Sequence, residues 1–158
     1  MANFLSEDAV LYYNNTSDHG GSGTYASPDW TEICNVKDLT AAMNKSEADV
    51  TTRCSNGWME FVEGLKDLEI EFGMLYDPSD GGFTAMKDAA FDNSKSVEVF
   101  VSDGDISVSG TYYGFRAACM VRQFTRGETL GEHLMMDVVI RPKKNDDNPP
   151  QWWTETTA

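Results

Sequence analysis

Leu65–Ser94 reads LKDLEIEFGMLYDPSDGGFTAMKDAAFDNS, and its hydrophobic period changes halfway along. Leu68, Ile70 and Phe72 alternate with Asp67, Glu69 and Glu71, the period of two that gives a strand one apolar and one polar face. A Pro/Gly-rich break follows. Asp77 or Ser79 is placed to accept hydrogen bonds from the first free N–H groups of a helix, with Pro78 tolerated in its first turn. Phe83, Met86 and Ala90 then recur at helical spacing, which predicts a helix near 79–92 packed on a sheet. No nucleophile, base or ligand set sits on this frame. Its message is architectural.

Upstream, Val10–Tyr13 predicts a first strand, then a loop dense in Gly, Ser, Asn and Asp, then a second strand over Trp30–Val36. Residues 37–60 show no sustained period, with at most a brief strand at Val50–Arg53. So long a structureless segment in a compact domain is usually functional or mobile. Downstream, Val97, Val99 and Val101 alternate with Glu98, Phe100 and Ser102, and the turn Ser102–Asp105 leads into Ile106 and Val108 as a hairpin. Phe115, Ala117, Cys119 and Val121 predict another strand. After a turn at Arg126-Gly127, alternation from Leu130 to Ile140 predicts the next, which takes in His133 and ends at Arg141-Pro142. The tail KKNDDNPPQWWTETTA is polar and Pro-containing, so an extended conformation is expected, with Trp152 and Trp153 docking on a surface.

The sum is about seven strands and one helix, a mainly β chain: an antiparallel β-sandwich or barrel with one flanking α-helix. One domain is expected over 1–142, with an N-terminal arm at Met1–Ser6 and a loop at 37–60, followed by an extended C-terminal tail over 143–158. The expected core holds Ile70, Phe72, Phe83, Met86, Val99, Val101, Phe115, Cys119, Leu134, Met136 and Val138.

Composition narrows the function. The 158 residues carry 26 acidic and 12 basic side chains, net −14, an unfavourable balance for gripping a phosphate backbone. Cys34, Cys54 and Cys119 form no CxxC pair and read as reduced thiols. No basic leader precedes an apolar run, and nothing approaches the ~20 apolar residues of a membrane span. His19 and His133 have no second ligand at metal spacing. Asp77, Asp80, Asp103 and Asp105 suit turns better than a calcium loop. Without GxSxG, Walker A or GxGxxG, neither an enzyme nor a cofactor is expected.

Across about Val10–Pro142 the pattern resembles the tail tube proteins of long-tailed bacteriophages. The residues that carry it are Trp30-Thr31-Glu32-Ile33 with Val36-Lys37-Asp38-Leu39-Thr40, then Glu47-Ala48-Asp49-Val50-Thr51-Thr52-Arg53. Leu68–Phe72 with Tyr76-Asp77-Pro78, the Val97–Val101 strand, Gly114-Phe115 and Ile140-Arg141-Pro142 complete the order. The Trp-bearing tail departs from it.

The resemblance implies a β-sandwich subunit closing into hexameric rings that stack into a conduit for DNA, which passes without specific binding. It implies a virion-tail location after synthesis in the host cytoplasm, with tape measure and tail terminator or tip proteins as further partners and no membrane. Within that reading, Asp67, Glu69, Glu71 and Glu98 are candidates for the lumen wall. Leu39, Met43, Glu47, Asp49, Arg53, Trp58, Trp152 and Trp153 are candidates for contacts between rings. The alternatives are the tube of a contractile injection or type VI-like system, or a monomeric β-sandwich that binds carbohydrate or protein through Trp58, Tyr112, Tyr113, Trp152 and Trp153.

Overall fold

A computed structural model describes residues 9–128, 130–144 and 147–157. Among these residues, eight strands form one antiparallel sheet: β1 (Val10–Asn14), β2 (Trp30–Glu32), β3 (Val36–Asp49), β4 (Phe61–Leu75), β5 (Val97–Ser102), β6 (Gly110–Gly127), β7 (Met135–Pro142) and β8 (Gln151–Thr157). Their order is β2-β1-β5-β6-β7-β4-β3, with β8 also on β6. The sheet does not close into a barrel, and β2 and β3 remain at its two ends.

β6 is the spine. Along one side it pairs with β5, from Val97↔Cys119 to Ser102↔Gly114. Along the other, β7 takes Cys119–Gly127 and β8 takes Gly110–Arg116. β7 and β8 therefore lie end to end on one edge of β6, and Gln151–Thr157 is a strand of the sheet where a separate tail is expected. Backbone pairing drives this, because the β6 edge beyond β7 would otherwise present unpaired N–H and C=O groups.

One face of the sheet is apolar. Leu11, Tyr13, Ile70, Phe72, Met74, Val97, Val99, Cys119, Met136, Val138 and Ile140 are buried there with Phe83, Met86 and Ala89 of the helix α1 (Gly81–Phe91). Gly82 lets α1 approach closely: a Cβ there would lie 2.8 Å from Ile33 Cγ1. The helix starts later than expected. Asp80 is the cap, its Oδ2 accepting the Phe83 N–H at 3.2 Å, whereas Asp77 turns inward on Ser79 at 2.6 Å and Pro78 precedes the helix. With the phase set from Asp80, Ala89 is buried and Ala90 only half-buried.

Residues 37–60 are the main correction. Val36–Asp49 is a strand of 14 residues, paired with β4 from Val36↔Met74 to Asp49↔Phe61. Its alternation is hidden for two reasons. A bulge between Lys37 and Thr40, with Asp38 at φ 52, shifts the phase, so Val36, Leu39 and Ala41 share the core side at unequal spacing. Beyond Met43 both faces are exposed, and no side has to be apolar. The expected strand at Val50–Arg53 is instead a turn leading into a 3₁₀ turn at Arg53–Ser55. Ile106 and Val108 lie in a turn held by Asp105, whose Oδ1 accepts the Ser107 N–H at 2.9 Å. β7 begins at Met135, which leaves His133 outside it, Leu130 fully exposed and Leu134 half-buried outside the core. Val101 and Phe115 are partly buried against the core. Met1–Ser6 falls outside the described residues.

Two buried protons make the fold sensitive to alkali. Burial raises the Cys119 thiol from 9.0 to about 12, and burial raises the Tyr12 hydroxyl from 10.0 to about 12. Both groups are neutral when protonated, so between those ordinary values and about 12 the native state holds protons that the unfolded chain has released. Their contribution to stability is complete below the ordinary values and declines as pH rises through that window. Urea midpoints measured from neutral pH to pH ~11 should fall, and Cys119→Ala should make the decline shallower; identical slopes would show that the thiol is not held protonated.

Candidate functional site

Beyond Leu68, the β3–β4 hairpin leaves the core. Asn44–Asp49 and Phe61–Asp67 continue as a two-stranded arm, roughly 20 Å long at the strand rise. Its tip is built, not slack. Thr52 Oγ1 accepts the Cys54 N–H at 3.2 Å, Ser55 Oγ accepts the Thr52 N–H at 3.0 Å and donates to Glu60 Oε2 at 3.0 Å, and Val50 N–H donates to the Glu60 carbonyl at 2.9 Å. Apolar side chains stand in water along it, including Val50, Met59, Phe61 and Val62, with Trp58 76% and Leu65 86% exposed. A cluster of that kind on a monomer marks a contact surface. Glu47, Asp49, Arg53 and Trp58 all lie exposed on this arm, Met43 is exposed at its base opposite Leu68, and Leu39 is half-buried against the core.

The helix-free face of the sheet carries charge. Asp67, Glu69 and Glu71 project from β4 opposite Leu68, Ile70 and Phe72, as their alternation predicts. Arg141 of β7 reaches Glu69, Nη2 to Oε2 at 2.5 Å and Nε at 3.0 Å, and lies 3.8 Å from Asp67. That guanidinium holds the Glu69 carboxyl below its ordinary value, while a hydrogen bond with Glu69 raises Glu71. The face is therefore partly neutralised, a feature that acidic alternation alone does not reveal.

Glu98, the fourth candidate for the lumen wall, is not a free carboxylate. It is ion-paired with Arg116, whose side chain is 1% exposed, and Arg116 Nε donates to Glu98 Oε1 at 2.6 Å. Arg116 Nη2 also donates to the Tyr25 carbonyl at 2.7 Å. Its guanidinium carbon lies 3.9 Å from the Tyr25 ring, 4.3 Å from Trp153 and 5.0 Å from Trp30, an aromatic cage around one cation. Glu155 ties the cage together by accepting from Trp153 Nε1 at 2.8 Å and Trp30 Nε1 at 3.3 Å. Trp152 points the other way, edge-on to Phe115 at 5.3 Å, and is 64% exposed. The two tryptophans thus dock on their own subunit. The cage draws on four separate segments, and nothing in any one of them signals it.

Among the described residues, no three His, Cys, Asp or Glu side chains gather as a metal site, and no helix is long and apolar enough to cross a membrane.

No family model matches this sequence, and no curated relative matches it. Solved structures do. The tail of an empty gene transfer agent particle, refined with C6 symmetry, superposes with a TM-score of 0.67 at 15% identity over 99% of this chain and 100% of that one. The SPP1 tail tube follows at 0.63 and 10% identity over 88% and 75% of the two chains. The six-fold symmetrised baseplate of the anti-feeding prophage matches at 0.58 and 9% identity over 99% and 97%. The fold of this chain is the tail-tube fold, mainly antiparallel β with a single helix among the described residues.

Proposed function

We propose that this chain is the structural subunit of a tail tube, with six copies to a ring and rings stacked into a conduit through which DNA leaves the particle. The observation that carries the reading is the tail-tube fold over essentially the whole chain, joined to an arm whose apolar side chains stand largely exposed among the described residues. A second copy supplies that cover. The chain acts by shape and self-association, without catalysis or cofactor. Its place is the virion tail, after synthesis in the host cytoplasm, where tape measure and terminator or tip proteins meet the tube ends. Similarity to a prophage baseplate chain favours a second reading, the tube of an injection machine. Both predict the same assembly. Electron micrographs of concentrated purified protein should show tubes or six-fold rings; a chain that stays monomeric at every concentration overturns the proposal.

In this assembly the helix-free face lines the lumen, where Asp67 and Glu71 repel phosphate and keep DNA mobile. Reversing both to Lys should leave stability within ~0.5 kcal/mol, as exposed substitutions do, and slow DNA release from triggered particles. Glu69 is left out because it is the close partner of Arg141, at 2.5 Å against 3.8 Å for Asp67. Unchanged release, or an assembled structure with these carboxylates on the outer wall, would refute the assignment. Contacts between rings fall to Met43, Glu47, Asp49, Arg53 and Trp58 on the arm and at its base, with exposed Trp152 as a lateral contact.

A further inference from the structure

We propose that the groove between α1 and the ends of β4, β6 and β7 is the socket for the arm tip of a second copy, so that subunits dock head to tail; this rests on the tube reading. The groove has a volume of about 420 Å³. Phe83 forms its floor, edge-on to Tyr76 at 5.3 Å and tilted on Phe124 at 5.8 Å. Phe91 stands at one side, 82% exposed, where α1 ends. Two cations flank this apolar floor: Lys87, 3.7 Å from Asp88, and Arg126, which is ion-paired at the surface with Glu128 at 2.7 Å and holds its guanidinium 5.1 Å from the Tyr76 ring.

The arm tip is complementary. Trp58 and Met59 are exposed apolar side chains, followed at once by the carboxylate of Glu60. An aromatic entering this groove would meet ring edges and a cation, contacts that favour Trp over an aliphatic side chain. Glu60 would then stand beside Arg126 and replace or join the exposed Glu128 as its partner.

Position decides who provides the tip. The tip adjoins Phe61 at the start of β4, and the groove adjoins Leu75–Tyr76 at its end. The 15 residues between span roughly 50 Å and are hydrogen-bonded to β3 along most of that length, so a tip cannot fold back into its own groove. Knob and socket at opposite ends of one rigid strand define a heterologous contact, and such contacts propagate along an axis.

The test uses the full chain with Cys34→Ser and Cys54→Ser, which removes both exposed thiols. Adding Met59→Cys and Phe91→Cys together, with Trp58 kept in place, and oxidising mildly should give a ladder of covalent multimers, absent from either single variant. Tubes in the micrographs without that ladder overturn the socket and leave the tube reading standing. Protein that remains monomeric without a ladder overturns both. Independently, Glu60→Lys and Arg126→Glu should each raise the concentration needed for polymerisation by about tenfold or more, and the double reversal should restore it. Rescue separates a lost charge pair from a damaged tip. A double variant no better than the singles counts against the pairing.

Discussion

Arg116→Ala should lower the unfolding free energy by about 3–5 kcal/mol, the range for breaking a buried ion pair from one side. The guanidinium is enclosed, and Glu98, only 12% exposed at its side chain, would be left without its cation. Three rings would also lose the cation on which they pack, with desolvated cation–π contacts worth up to ~2 kcal/mol. Arg116→Lys should recover only part of the loss, because an ammonium cannot serve Glu98 and the Tyr25 carbonyl with the same planar fork. β8 should feel the change first: Trp153 stacks on the cation, so limited proteolysis near Gln151 should accelerate. Urea unfolding followed by tryptophan fluorescence measures the effect. A loss below ~1 kcal/mol would mean that the cage contributes packing alone.

Excising the arm should abolish tubes while sparing the fold. Joining Lys45 to Lys66, which face each other in the ladder, through an Asn-Gly turn removes Ser46–Leu65 and closes a two-residue hairpin. Nothing removed belongs to the core, where β4 begins to contribute at Leu68. Stability should therefore change by ~1 kcal/mol or less, and the product should be soluble, because exposed Trp58, Met59, Phe61 and Leu65 leave with the arm. Sedimentation and electron microscopy should find folded subunits or single rings and no tubes. Tubes of normal length from this variant would end the arm's role in stacking, and an insoluble product would place the arm in the folding unit.

The sequence alone determined the elements whose burial is one-sided. Leu68, Ile70 and Phe72 against Asp67, Glu69 and Glu71 declare a strand because one face had to be apolar, and the spacing of Val97, Val99 and Val101 declares another although Phe100 is buried on its opposite face. The helix was legible for the same reason, and its cap was misplaced by one to three residues because DPSD offers three oxygen-bearing candidates. From these elements the fold class followed, and the order of blocks along the chain carried the likeness to tail tubes. Tertiary structure decided what has no such asymmetry. β3 beyond Met43 is exposed on both faces, so only its ladder with β4 makes it a strand. β8 is a strand because β6 leaves an edge open, a condition set about forty residues away. Arg116 meets Tyr25, Trp30 and Trp153 only after three strands and a loop are in place. One-sided burial leaves a local period in a sequence; pairing between distant backbones does not, because every residue but proline offers the same N–H and C=O.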